Sequence, residues 1–281
     1  MKEKIILITG CSSGIGFDAA FALKKRGHRV IGSCRKKEDV EKLLNIGLEA
    51  VQLDVSDSSS IQSAFEKVLA QTEGRIDVLI NNAGYGQAGA LEDITRDVLR
   101  AQFETNVFGL VELTNLAIPI MRQQGHGRII NISSILGIIS MPFRGAYNAS
   151  KYAVEGVSDT LRLELQSSGI DVITVEPGPI ESRFRDNCVD NSLNYIDKQH
   201  SYFSKQYERM LEEFKQKKSA SIFTRQPDAV IKKLHHAIES KRPKAKYPIT
   251  IPSHLMIFLK RILTTKMLDK ILSSTSKKEL S

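Results

Sequence analysis

Short apolar runs alternate with amphipathic stretches through the first two thirds of the chain. The short runs predict buried strands at residues 4–9, 29–34, 48–53, 77–81, 128–133 and 171–176. Stretches whose apolar positions recur every three or four residues predict helices at 13–26, 38–45, 58–73, 95–124 (in two pieces) and 145–168. Strands that alternate with helices are typical of βαβ units. We therefore expect an α/β fold in which a doubly wound parallel sheet lies between two layers of helices.

The alternation ends after Pro177, and the rest of the chain has a different character. Residues 183–226 are polar with scattered aromatic side chains, which predicts a partly helical insertion that acts as a lid over a site. A helix is predicted over 227–240, a short edge strand over 246–251, and a basic amphipathic helix over 253–272 within a tail 253–281. No internal repeat or low-complexity linker divides the sequence, so we expect a single domain over residues 1–281.

The positive charge is concentrated at the C-terminal end. Residues 1–204 hold 22 Lys and Arg against 25 Asp and Glu, whereas residues 205–281 hold 18 against 7. Such a region suits an anionic membrane surface, an acidic partner or simply solvent. For the amphipathic tail, two interpretations remain: it lies peripherally on a membrane, or it packs against the domain. No nucleic-acid recognition motif accompanies the charge, so we expect no nucleic-acid partner.

Three widely spaced cysteines, Cys11, Cys34 and Cys188, form neither a disulfide framework nor a metal-ligand pattern. No apolar run reaches the ~18 residues of a membrane helix, and the N-terminus does not have the form of a secretory signal. These features predict a reduced, cytoplasmic protein without a bound metal.

A glycine-rich turn follows the first predicted strand. It reads Thr9-Gly10-Cys11-Ser12-Ser13-Gly14-Ile15-Gly16. Glycines at a strand-to-helix turn let the backbone bend tightly, approach a pyrophosphate and direct a helix N-terminus at it. The position of the turn after the first strand therefore favours a dinucleotide site over a turn without a ligand.

The end of the second predicted strand indicates which dinucleotide binds. A carboxylate there would bind the 2′-hydroxyl of NAD, whereas an arginine accommodates the 2′-phosphate of NADP. This chain has Arg35-Lys36-Lys37 after Cys34 and no carboxylate at the strand end. A guanidinium at Arg35 would form charge-assisted hydrogen bonds with the phosphate, so we expect NADP(H) rather than NAD(H).

A tyrosine and a lysine four residues apart, Tyr147 and Lys151, fall on one face of the last long predicted helix of the sheet region. An ammonium ~4 Å from a phenol would favour the phenolate by up to ~4 kcal/mol at an effective dielectric of ~20. That would bring a tyrosine towards the range in which it exchanges a proton near neutral pH. Alone, the spacing also fits an inward aromatic beside an outward lysine.

Together these motifs resemble those of the short-chain dehydrogenase/reductase family, in its compact branch, whose fold is the Rossmann fold. The resemblance covers residues 4–182. It rests on the glycine turn, Leu53-Asp54-Val55, Asn81-Asn82-Ala83-Gly84, Asn106, Ile132-Ser133-Ser134, Tyr147-x-x-x-Lys151 and Pro177-Gly178.

The resemblance implies a role for each matched position. Asp54 would contact the adenine, Asn82 would lie by the adenine ribose, Asn81 would steady the central strands, and the backbone of Ile180 would meet the nicotinamide carboxamide. The cofactor-binding residues indicated in this way are Gly10, Ser12, Ser13, Gly14, Ile15, Gly16, Arg35, Asp54, Val55, Asn82, Ala83, Gly84, Tyr147, Lys151, Pro177, Gly178 and Ile180.

The resemblance also implies a catalytic set of Asn106, Ser134, Tyr147 and Lys151. The family's serine precedes the tyrosine by 13 residues, which selects Ser134 over Ser133. Ser134 and Tyr147 would hydrogen-bond the substrate oxygen, with Tyr147 as proton donor or acceptor. Lys151 would hold the nicotinamide ribose and lower the pKa of Tyr147, and Asn106 would support a water chain from Lys151.

A finer resemblance concerns the C-terminal third. It rests on Pro177-Gly178-Pro179-Ile180, on 226–230 and on 242–248, which are similar to the branch of 17β-hydroxysteroid and retinol dehydrogenases and bacterial aldehyde and ketone reductases. This implies NADP(H)-dependent hydride transfer to or from an apolar carbonyl or alcohol, by a homodimer or homotetramer. Two alternatives remain: a 3-oxoacyl-carrier-protein reductase and a non-catalytic NADP-sensing regulator. Such regulators tend to lose the tyrosine or the lysine, and both are present here.

Overall fold

The computed structural model describes residues 2–181, 195–215 and 224–276. Its centre is a seven-stranded sheet in which every pairing is parallel and the strand order is β3-β2-β1-β4-β5-β6-β7. The strands are β1 Ile5–Ile8, β2 Arg29–Cys34, β3 Glu49–Gln52, β4 Val78–Asn81, β5 Gly127–Ile132, β6 Ile170–Glu176 and β7 Lys246–Pro248. The predicted doubly wound parallel sheet is thus confirmed, with the last strand at the sheet edge.

Helices cover both faces of the sheet. They are α1 Gly14–Lys25, α2 Lys37–Asn45, α3 Ser58–Gln71, α4 Arg96–Phe103, α5 Gly109–Gln124, α6 Gly145–Glu164, α7 Ser204–Lys215, α8 Asp228–Glu239, α9 Ile251–Ile262 and α10 Thr265–Thr275. Alternation along β1 sends Ile6 and Ile8 into the core beneath α1, α2 and α8, and Leu7 into the core beneath α3 and α5. Strands buried on both faces explain the nearly continuous apolar runs of the sequence.

In the sheet region, the helices depart from the prediction in two places by more than the one or two residues by which other helix ends differ. Helix α6 ends at Glu164 instead of 168, because residues 165–168 form turns before β6. The two pieces predicted within 95–124 are not separated by a loop, since a π-helical turn, Glu104–Phe108, joins α4 to α5. Pro119 lies inside α5, which continues to Gln124.

The predicted lid is described only in part, because residues 183–194 and 216–223 lie outside the described residues. The described part contains α7, which packs on the loop after β4. Tyr207 of α7 is buried there, and its hydroxyl donates to Asp93 Oδ2 at 2.7 Å and accepts from Ala90 N at 2.7 Å. These bonds tie the insertion to the carboxyl side of the sheet.

The predicted single tail helix is two helices, α9 and α10, because Leu263 leaves helical geometry and Thr264 begins a new helix. Their inner face packs on the loop after β5, in one cluster made up of Ile135, Leu136, Ile139, Met141, Met256, Ile257, Leu268 and Leu272. The interpretation that the tail packs against the domain is confirmed for this face. Its outer face carries an exposed apolar row at Ile251, Leu255, Phe258 and Ile262.

Among the described residues, no helix is both long and apolar enough to span a bilayer.

Candidate active site

A cavity of about 1590 Å³ opens at the carboxyl ends of the strands, where the strand order turns back between β1 and β4. Ligands of open parallel sheets bind at this switch point. The predicted site residues that line it are Gly10, Ser12, Ser13, Gly14, Ile15, Arg35, Asp54, Val55, Asn82, Ala83, Gly84, Ser134, Tyr147, Lys151, Pro177, Gly178 and Ile180. Two predicted site residues, Gly16 and Asn106, are not part of the lining and lie behind it.

The glycine turn is packed so closely that larger residues do not fit. Gly10 and Gly14 have φ of 73° and 60°, in the left-handed region that favours glycine. A Cβ on Gly16 would lie 2.3 Å from Gly10 O and 2.4 Å from Asn82 Nδ2. The Asn82 amide itself donates to Thr9 O at 2.9 Å and Gly10 O at 3.1 Å. Asn82 therefore fixes the turn as well as lining the cavity.

The N-terminus of α1 begins at this turn and faces the cavity. The side chain of its N-cap residue, Ser13, accepts no hydrogen bond from the first-turn amides of the helix. Amide donors and the positive end of the helix dipole are the features that bind a pyrophosphate. The turn thus fits the phosphates of a dinucleotide.

The part of the cavity that contains the glycine turn ends at two basic side chains. Arg35 and Lys36 are exposed and line it, whereas Lys37 does not. The neighbouring Cys34 is buried, and burial raises the pKa of its thiol to about 11, so it adds no negative charge. Asp54 lies further along, where its Oδ1 accepts from Ser56 N at 3.0 Å and Ser56 Oγ at 2.7 Å.

Tyr147 and Lys151 lie together on the buried face of α6. Lys151 Nζ is 5.7 Å from the centroid of the Tyr147 ring and donates to Ile132 O at 2.7 Å. Burial lowers the pKa of Lys151 to about 8, and the charge of Glu155 opposes this shift. The lysine side chain is therefore fixed between the tyrosine and the end of β5.

Ser133 and Ser134 both border the cavity at the end of β5. Ser134 Oγ accepts from Leu136 N at 3.1 Å and caps the one-turn helix Ile135–Gly137. Ser133 Oγ is buried and lies 2.9 Å from the position that a Cβ on Gly137 would take. The choice of Ser134 over Ser133 stays a prediction.

Asn106 occupies the π-helical turn and connects three parts of the site. Its Nδ2 donates to Tyr85 O at 2.9 Å and Ser150 Oγ at 3.0 Å, and its Oδ1 accepts from Tyr85 N at 3.1 Å. Ser150 Oγ in turn donates to Tyr147 O at 2.8 Å. Asn106 therefore supports the backbone of α6 beside the tyrosine; π turns of this kind frequently occur at functional sites.

Asn81 lies deeper, between the central strands. Its amide donates to Asn131 Oδ1 at 2.8 Å and Thr114 Oγ1 at 2.9 Å, which links β4 to β5 and α5. The bonds match the steadying role implied by the resemblance.

The other half of the cavity was not predicted residue by residue. It has an apolar wall made up of Leu136, Ile139, Met141, Met256 and Leu272, and the polar side chains that also line the cavity include Gln87, Asp97, Thr105 and Thr275. Met256 and Leu272 come from α9 and α10, so the tail is a wall of the cavity. Periodicity marked the tail as amphipathic but could not show which surface it covers. The described residues hold no cluster of side chains suited to a metal ion.

The fold and the glycine turn at its switch point define the class of dinucleotide-binding α/β proteins. The chain belongs to the short chain dehydrogenase family, whose model matches residues 4–192. Nicotinamide dinucleotides carry the hydride in enzymes of this kind. The glycine turn fits the pyrophosphate of such a dinucleotide.

The similarity extends over the whole chain in some relatives. The chain is 42% identical to the uncharacterized oxidoreductase YbbO of Escherichia coli strain K12 over 272 residues, which are 97% of this chain and 95% of YbbO. It is 45% identical to the 3-ketodihydrosphingosine reductase of Bacteroides thetaiotaomicron over 188 residues, 66% of this chain and 68% of that one. A short-chain dehydrogenase structure from Streptomyces avermitilis superposes with a TM-score of 0.76 at 30% identity, covering 99% of this chain and 97% of the other.

Proposed function

We propose that the protein is an NADP(H)-dependent carbonyl reductase or alcohol dehydrogenase that acts on apolar substrates. One observation carries the proposal: Ser134, Tyr147 and Lys151 line the same cavity as the glycine turn, next to its apolar half. A carbonyl group between the two halves would face the two hydroxyls. A nucleotide alone would not account for the apolar wall, and an apolar ligand alone would not account for the glycine turn.

The side chains divide the work by their positions. A bound nicotinamide supplies or accepts the hydride. In reduction, Tyr147 donates its phenolic proton to the carbonyl oxygen of the substrate. In oxidation, the ionised Tyr147 accepts the hydroxyl proton of the alcohol. Ser134 orients the same oxygen by a hydrogen bond, since its hydroxyl is held at the cavity surface by Leu136 N. Lys151 adds positive charge beside the phenol, and Asn106 holds the backbone of Tyr147 through Ser150.

The substrate class follows from the wall of the cavity. Aliphatic and thioether side chains form a wall of the half beyond Ser134, so a hydrocarbon chain that packs against this wall would be removed from water. The similarity to a 3-ketodihydrosphingosine reductase supports a ketone as the group that is reduced.

Purified protein with NADPH and a series of straight-chain ketones and aldehydes tests this function. We expect kcat/KM to rise by about fourfold for each added methylene until the apolar half is filled, at ~0.8 kcal/mol per buried CH₂. The measurement is the rate of NADPH oxidation. Absence of turnover with every member, in both directions, would refute the proposal. A strong preference for a matched 3-oxoacyl thioester would favour a carrier-protein substrate instead.

The choice of NADP(H) depends on Arg35. Arg35→Ala should weaken NADPH binding by about 10-fold or more and leave NADH within about twofold, because a charge-assisted bond contributes ~1.5–3 kcal/mol. Equilibrium titration of both nucleotides measures this. Lys37→Ala is the matched control, since Lys37 is equally exposed but lies outside the cavity lining. Equal weakening of NADPH and NADH in Arg35→Ala would contradict the cofactor assignment.

A further inference from the structure

A row of ionisable side chains, buried as far as Glu155, extends along α6 beyond the tyrosine and the lysine. Tyr147, Lys151, Glu155 and Asp159 are spaced four residues apart, so they lie on one face of the helix. The first three are only 8%, 6% and 7% exposed. Glu155 thus continues the row directly from Lys151, on the side away from Tyr147.

Glu155 is fixed by a lysine from another element. Lys246 of β7 places its Nζ 2.7 Å from Glu155 Oε2 and 3.1 Å from Asp159 Oδ1. Strand β7 is in turn fixed to β6, with Lys246 in register with Thr174. The carboxylate of Glu155 therefore has a set position relative to the sheet as well as to its own helix.

One carboxylate oxygen of Glu155 is left over. Oε1 is buried and accepts no hydrogen bond from the described residues. Burying a carboxylate with one oxygen unpaired is unfavourable, so an ion pair with Lys246 alone would add little to the free energy of unfolding. Lys151 lies one helical turn before Glu155 and is itself removed from water. Among the described residues its ammonium donates to one backbone carbonyl, Ile132 O.

We propose that Glu155 is a positioning residue for the reaction: anchored by Lys246, its carboxylate keeps Lys151 in the ammonium form beside Tyr147 and the cofactor site. This inference rests on the proposed function only for the role of Lys151 in turnover. Burial disfavours the charge on Lys151 and lowers its pKa to about 8, whereas the charge of Glu155 opposes this shift.

None of the other charged groups described around Glu155 could supply the negative charge beside Lys151 in its place. They are Lys151 and Asp159 on α6, Glu176 on β6 and Lys246 on β7. Asp159 lies two helical turns from Lys151, one turn beyond Glu155, and also forms an ion pair with Arg162. Burial, and then the charge of Glu155, raise the pKa of Glu176 to about 7, so this second acid is partly neutral at neutral pH. Glu155 is therefore the anion that follows Lys151 in the row.

Glu155→Gln keeps the shape of the side chain and removes its charge, so Lys151 should lose its proton at lower pH. We expect the alkaline limb of the kcat profile to move down by about one pH unit, so that the variant matches the wild type near pH 6 and is slower by about fivefold at pH 8. NADPH affinity, titrated over the same pH range, should show the same displacement without any turnover being needed.

Two variants separate positioning from packing. Asp159→Asn removes the other carboxylate bound to Lys246 and should leave the profile in place. Glu155→Asp, which retains the charge, should largely restore the wild-type profile and serves if Glu155→Gln folds poorly. A Glu155→Gln protein with lowered thermal stability but unmoved kcat and binding profiles would overturn the proposal. A wild type without reductase activity would refute only the proposed function, because the pH dependence of NADPH binding would still test Glu155.

Discussion

Tyr147→Phe is expected to lower kcat for carbonyl reduction by at least ~10²-fold and by up to ~10⁴-fold. The phenol is the group that exchanges a proton with the substrate oxygen, and a positioned general acid contributes a factor of this size. The ring itself is buried at the cavity wall and remains in the variant, so the loss should fall on kcat. NADPH affinity should change by less than about twofold, as measured by equilibrium titration beside the turnover assay.

Tyr152→Phe is the matched control for this variant. Tyr152 lies on the same helix, but its hydroxyl donates to Ile138 O on the outer side, so its removal should leave kcat within about twofold. Wild-type turnover in Tyr147→Phe would disprove the proposed mechanism. A shared loss in both variants would show that damage to α6, not the missing proton, is responsible.

The parts of the site that were predicted are those set by spacing within one element. The glycine turn needs only a strand end followed by a helix start, and the Tyr147–Lys151 pair needs only one turn of helix. Both patterns are complete in a few consecutive residues. For the same reason the alternating apolar runs were enough to predict the parallel sheet, because burial on both faces leaves its mark on each strand separately.

The parts that were missed depend on contacts between distant segments. The apolar wall combines Ile139 after β5 with Met256 and Leu272 from the tail, and hydrophobic periodicity does not identify the partner of an apolar helix face. The π turn at Asn106 inserts a local change of helical period into a continuous helix, where a pattern of 3.6 residues predicts none. The anchoring of Glu155 needed Lys246, which only the pairing of β7 with β6 brings beside α6.

Gly16→Ala is expected to reduce NADPH affinity by at least about 10-fold and to lower the free energy of unfolding by about 1–3 kcal/mol, the usual cost of overpacking. The added methyl group would meet Gly10 O at 2.3 Å and Asn82 Nδ2 at 2.4 Å. One of these atoms is backbone, and the two are hydrogen-bonded to each other at 3.1 Å. The turn must therefore open, which displaces the amides at the start of α1 from the pyrophosphate site.

Gly156→Ala separates this effect from the general consequence of removing a glycine from a helix. A Cβ on Gly156 of α6 would have nothing within 4 Å, so the substitution should raise the free energy of unfolding by about 0.5–1 kcal/mol and leave NADPH binding unchanged. Denaturant unfolding and nucleotide titration of both variants provide the comparison. If Gly16→Ala bound NADPH as tightly as Gly156→Ala, the close packing of the turn would not be what shapes the phosphate site, and Asn82 would lose its role in fixing it.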